Sequence, residues 1–232
     1  MPALSDTEIL CLWDSGARRY PLDRGLLLLG AAEPGTPYER LIDWPLGRRN
    51  QAVAQLHRSC FGDAVRAWLA CPACAEKLEF ELDSRLFAGD SGRDEPVVVN
   101  GQSFRVPTSR DLAHAARESD PLQAATRLAQ SCCLSLPAPA AWSEEELDNI
   151  GRALALADPH AEIRLPLQCP ACGHAWEETL DIASFTWEEI EARARRLLFD
   201  VHTLASAYGW TEAEILSLGA SRRARYLELV RT

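Results

Sequence analysis

A chain of 232 residues, 47% hydrophobic and 25% charged, can bury a core without disulfides and lies far from the polar bias of disordered chains. Its formal charge of −10 argues against a protein whose main task is to neutralise phosphates, and no run approaches the roughly 18 uninterrupted apolar residues of a membrane span. Residues 1–6 hold neither a basic start nor a signal core, so the expected location is the cytoplasm, where eight cysteines stay reduced and Cys-x-x-Cys pairs hold metal or do redox work.

The first 63 residues read as a helical block. Ser5 or Asp6 caps a helix carrying Ile9, Leu10, Leu12 and Trp13, and Pro21 opens a second around Leu26–Leu29. After the turn at 34–37, Asp43 ahead of Pro45 marks the cap of a third helix through Val53 and Leu56 to about Cys60. From Ala64 the pattern turns to strand, reaches Cys71-Pro-Ala-Cys74, and continues with Leu78, Phe80 and Leu82 alternating against charged neighbours. A polar stretch at 89–95 then leads to Val97–Val99, Asn100-Gly101 and residues 104–106, a two-residue hairpin signal.

Thr108 and Ser109 can cap a helix through Leu112 and Ala116, Pro121 opens one towards Cys133, and a Pro/Ala-rich linker covers 135–141. Ser143 and Glu146 form a capping box for a helix to about Ala157. Ile163, Leu165 and Leu167 lead into Cys169-Pro-Ala-Cys172, and Trp176, Leu180 and Ile182 lead out of it. In the last third Trp187, Ile190, Ala194, Leu197, Val201, Leu204 and Tyr208 recur at helical spacing, with Glu189–Arg193 and Glu191–Arg195 expected as outer pairs. Gly209 stops that helix, Thr211 and Glu214 box the next, and a final helix runs from about Ser221 to Val230.

Aligning Cys71 with Cys169 matches eight of seventeen positions between residues 71–87 and 169–185: both cysteines, the Pro-Ala between them, Glu79/Glu177, Leu82/Leu180, Asp83/Asp181 and Phe87/Phe185. One knuckle offers two thiolates where structural zinc takes four, so Cys71, Cys74, Cys169 and Cys172 are expected to share one zinc ion across an insertion of 94 residues. Such a closed shell has no open position for water or substrate. Buried free thiols or a redox pair in each knuckle are the competing readings, and His174 is a rival ligand, more plausibly a solvated neighbour.

The fold class that follows is α+β and mainly helical. It comprises the block 1–63, a zinc-ribbon-like core of two knuckle hairpins at 64–88 and 161–185, an insertion at 89–160 with hairpin and helices, and C-terminal helices at 186–232. His57 and Cys60 lie one helical turn apart but read as ordinary packing, while Cys11, Cys132 and Cys133 read as small buried hydrophobes. No phosphate loop, nucleophile elbow or His-Glu-x-x-His motif occurs. Arg222, Arg223 and Arg225 on the last helix raise a helix-turn-helix reading, opposed by the acidic total charge and by the interleaved Tyr226, Leu227, Leu229 and Val230.

The segment from Tyr208-Gly-Trp to Leu218, followed by Arg222-Arg-Ala-Arg-Tyr to Val230, resembles the baseplate hub assembly chaperones of contractile-tailed phages, and Phe104 to Leu112 is similar to an internal motif of that family. Trp44-Pro-Leu-Gly-Arg-Arg-Asn50 and both knuckles resemble the longer, zinc-bearing version of phage-tail-like contractile injection systems; the simpler phage members lack the knuckles. The resemblance implies a non-enzymatic protein that assists or joins the baseplate, with hub, spike or wedge proteins as partners and either a cytoplasmic life or incorporation into the finished particle. Trp210, Arg222, Arg223 and Arg225 are the residues expected to meet a partner. A zinc-ribbon nucleic-acid regulator and a zinc-dependent or thiol enzyme are the alternatives.

Overall fold

Capping chemistry sets where most helices begin. Ser5 accepts from the Glu8 N–H while the Glu8 carboxylate accepts from the Ser5 N–H, a reciprocal box that starts α1 (Asp6–Gly16). The same box opens α5 (Ser109–Ala115) through Thr108 and Asp111, α7 (Glu144–Ala157) through Ser143 and Glu146, and α9 (Glu212–Ser217) through Thr211 and Glu214. Proline in the first turn opens α2 (Pro21–Ala32) and α6 (Pro121–Cys132), where its missing N–H costs nothing. After the single turn α3 (Tyr38–Leu41), α4 (Leu46–Phe61) departs from expectation. Asp43 does not cap it, because the Arg110 guanidinium draws that carboxylate away at 2.6 Å; Asp158, 111 positions away, accepts the Gly47 N–H at 2.8 Å instead.

The structure, a computed structural model, describes residues 2–87, 89, 95–135, 139 and 141–230. Most of the polar stretch at 89–95 and of the linker at 135–141 lies outside the described residues. What is described is α+β and mostly helical, with three two-stranded antiparallel sheets. These are β1 (Ala64–Ala70) with β2 (Lys77–Asp83), β3 (Val97–Val99) with β4 (Gln102–Phe104), and β5 (Ile163–Gln168) with β6 (Ala175–Leu180). Asn100 and Gly101 both take positive φ, 51° and 77°, as a two-residue hairpin turn requires. Among the described residues no helix is long and apolar enough to cross a membrane.

The main core is built on α8 (Ile182–Tyr208), whose inner stripe Ile182, Trp187, Ile190, Ala194 and Leu197 packs against Ile9 of α1, Leu28 and Leu29 of α2, and Val53 and Leu56 of α4. Gly16 is required at the α1 end, because a Cβ there would overlap the Trp187 indole. Ile182 is the first residue of this helix and not the end of a strand, because Asp181 accepts the Ala183 and Ser184 N–H groups and turns the chain. Arg193 does not pair with Glu189; it reaches across to Asp6 at 2.7 Å, while the expected Glu191–Arg195 pair forms at 2.8 Å. Cys11 is exposed instead of buried.

A second cluster, Phe104, Ala129, Cys132, Leu147, Ile150 and Leu154, gives the insertion an apolar core of its own. Polar ties join it to the helical block: Asn50 donates to the His160 and Ala161 carbonyls at 2.9 and 3.0 Å, and the Arg49 guanidinium reaches the Ser109 hydroxyl at 3.3 Å. At the C-terminal end α9 buries Ile215 completely, and α10 (Ala220–Val230) lies along α8.

Candidate metal centre

Strand pairing brings both knuckles to hairpin tips. The β1–β2 register ends at Ala70 opposite Lys77 and the β5–β6 register at Gln168 opposite Ala175, leaving six residues to turn in each case. Both tips turn by the same bonds. Cys71 N–H donates to the Glu76 carbonyl and Cys169 N–H to the His174 carbonyl, each at 2.8 Å; Ala75 N–H and Gly173 N–H return to the Cys71 and Cys169 carbonyls, each at 2.9 Å. The returning residue is left-handed in both copies, φ 60° at Ala75 and 74° at Gly173. The repeat continues past the knuckles, since Asp83 accepts the Arg85 N–H as Asp181 accepts that of Ala183. One helical turn, Ser84–Phe87, follows the first copy and the long α8 follows the second.

The four sulfurs converge, all within 4.8 Å of one another. Each first cysteine faces the second cysteine of the other knuckle: Cys71 to Cys172 at 3.7 Å and Cys74 to Cys169 at 3.6 Å. A tetrahedral ion with metal–sulfur bonds of about 2.3 Å needs sulfur–sulfur edges of about 3.8 Å. The spacing therefore fits one structural metal ion. Cys71 and Cys169 are buried at 2% and 1% exposure while Cys74 and Cys172 stand at the surface, so the site has an inner and an outer pair.

Without metal the thiols share protons unequally. Burial pushes the Cys71 thiol up, but the Cys74 and Ala73 N–H groups and the neighbouring thiols outweigh it and bring it to about 7. At Cys74 the Glu76 N–H pulls downward, yet the surrounding thiols, Cys172 first, and burial carry it up to about 12. Cys172 is also raised, against the His174 N–H. A cation would remove this competition by drawing all four groups to thiolate. His174 stays outside the set; its side chain is exposed and stacks on Trp176 with centroids 5.9 Å apart.

The other residues singled out in the sequence separate. Trp210 is half-buried, stacked on Tyr208 at 4.7 Å and edge-on to Tyr226 at 4.8 Å, so it joins the end of α8 to α10. Arg222 and Arg225 are exposed, Arg225 pairing with Glu228 at 2.9 Å. Arg223 is not on the outer face: it is 6% exposed and bonds Asp6 at 2.7 Å and Asp200 at 3.2 Å, because the turn of α10 points it at α1 and α8. His57 is buried between Phe61 and Phe185, with burial lowering its pKa, and the Cys60 sulfur accepts the Leu4 N–H at 3.4 Å.

Sequence reading missed the roles of the buried carboxylates Asp111 and Asp158 and of the part-buried Asp6. Asp111 could have been noticed as the N3 partner of Thr108; the other two take partners too distant in the chain to leave a local signal. A scan against family models, a search of curated proteins and a search of solved structures each found no match for the chain.

Proposed function

We propose that this chain is a non-enzymatic assembly or structural protein in which two knuckles close on one zinc ion, and that it serves the baseplate hub of a phage-tail-like contractile injection system. The observation that carries the proposal is the convergence of Cys71, Cys74, Cys169 and Cys172. Four soft thiolates at tetrahedral spacing suit zinc, and a shell filled by protein leaves no position for a reacting water. Zinc then acts as a cross-link between distant segments, holding the two hairpins as one ribbon-like unit beneath which the core helices pack.

The baseplate part rests on the motifs at 44–50, 104–112 and 208–230. In the last of these the Tyr208–Trp210–Tyr226 ring cluster and the left-handed Gly209, φ 69°, fix how α10 is presented along α8. That role suits a protein that works by offering a shaped surface to hub, spike or wedge proteins. Against the nucleic-acid regulator stand the charge of −10 and the neutralisation of Arg66 by Glu81 and of Arg164 by Glu162 on the hairpins.

Affinity purification of the tagged full-length protein from cells producing the particle, with and without nuclease, separates the two. Hub, spike or wedge proteins are expected to co-purify in both preparations. Recovery of nuclease-sensitive nucleic acid without any baseplate protein would replace the assembly reading with the regulator.

A further inference from the structure

The surface where α1, α8 and the start of α10 meet is a groove of about 700 Å³. Arg193, Arg195 and Arg196 line it from α8, and Arg223 from α10. Against these four guanidiniums stand two carboxylates, Asp6 and Asp200. Asp6 is fully engaged, bonded at 2.7 Å by both Arg193 and Arg223, and Asp200 accepts from Arg223 at 3.2 Å. The Glu191 carboxylate holds Arg195 at 2.8 Å, so one cationic charge is left over, that of Arg196, in a molecule whose net charge is −10.

Arg195 is tied only to the half-buried Glu191 carboxylate, and the Arg196 side chain makes no hydrogen bond or ion pair among the described residues. Ala220 brings the first turn of α10 to the wall, so the positive end of that helix adds to the field. The rest of the wall is apolar, with Leu197, Phe61 and Phe199, the last 59% exposed.

We propose that this groove receives an acidic segment of a protein partner, whose carboxylates bond Arg195 and Arg196 while a neighbouring apolar side chain covers Phe199. Guanidinium forks match carboxylates, and a single groove with an apolar wall suits a short peptide better than a polyphosphate track. The acidic remainder of the chain would also repel a long polyanion. The groove chemistry stands on these residues alone; only the identity of the partner as a baseplate protein rests on the proposed assembly role.

The test uses the full-length protein and fluorescent synthetic peptides rich in Asp and Glu around one Leu and one Phe, with Asn/Gln-substituted peptides and a thymidine oligonucleotide as controls. Anisotropy titrations should show binding of the acidic peptide that weakens with salt, and weaker binding of the amide version by about tenfold. Arg196→Glu should weaken the acidic peptide by about tenfold with an unchanged melting temperature, since Arg196 is exposed, and Arg222→Glu outside the groove should have no effect. Equal binding of acidic and amide peptides, an unaffected Arg196→Glu variant, or oligonucleotide binding in place of peptide binding would overturn the proposal. If Arg196→Glu loses the peptide while no baseplate protein co-purifies with the wild type, the groove survives and the assembly reading does not. If baseplate proteins co-purify but no acidic preference appears, the reverse holds.

Discussion

Ala75 and Gly173 occupy equivalent places in the two knuckles, and both are left-handed, at φ 60° and 74°. A Cβ in that region is strained by roughly 1–2 kcal/mol, which Gly173 avoids and Ala75 bears. Ala75→Gly is therefore expected to stabilise the metal-loaded protein by about 0.5–1 kcal/mol and Gly173→Ala to destabilise it by about 1 kcal/mol, measured by denaturant melts. Equal effects of the same sign would mean that the two knuckles do not share a backbone. The doubled Cys-Pro-Ala-Cys made the four-cysteine cluster legible because covalent spacing fixes which sulfurs one turn can present. Arg223 was misjudged for the opposite reason: an arginine beside Arg222 and Arg225 looks like part of a solvated face until the carboxylates of Asp6 and Asp200, from α1 and α8, are placed against it.

Among the elements, the second knuckle hairpin and α8 form one unit joined at Asp181, whose carboxylate accepts from Ala183 and Ser184 and from the Ser184 hydroxyl at 2.6 Å. Losing this cap should cost roughly 1 kcal/mol, so Asp181→Ala is expected to lower stability by that amount with metal content unchanged. A drop in bound metal would show that the hinge also orients the knuckle. The capping boxes at Ser143 and Thr211, and the caps at Ser5 and Thr108 without their Glu8 and Asp111 partners, were readable because the groups involved lie within four residues. The start of α4 was not, since its acceptor comes from Asp158 beyond the end of α7. The strands around each knuckle could be read from alternation, but that alternation ran past the end of β6 at Leu180 to Ile182, although the Asp181 cap lies only two and three residues from the N–H groups it accepts.

Across the whole molecule three carboxylates, Asp6, Asp111 and Asp158, differ in pH behaviour. At Asp6 burial alone would raise the carboxyl, but Arg193 and Arg223 hold it below its ordinary 3.8; at Asp111 burial is likewise outweighed by Arg105 and Thr108. Both contributions are present above the ordinary carboxylate value and are lost as pH falls through the lower folded value. Asp158 runs the other way: burial raises it against the Gly47 N–H and His160, so the folded state keeps a proton that the unfolded chain releases. Its contribution is present below 3.8 and fades as pH rises through the folded value. Asp158→Asn keeps an acceptor for Gly47 without the charge and should raise the melting temperature near neutral pH, a gain that vanishes below about pH 4. A gain independent of pH would assign the effect to something other than this ionisation.

The proposed ribbon would depend on a metal ion held by the four cysteines. The most direct test is zinc K-edge X-ray absorption on the protein as purified, with metal content measured beside the Cys169→Ser variant. One zinc per chain surrounded by four sulfurs at about 2.3 Å, with metal and melting temperature both falling in the variant, is the predicted result. A substoichiometric metal, a shell containing nitrogen or oxygen, or a Cys169→Ser protein that keeps its metal and its stability would contradict it.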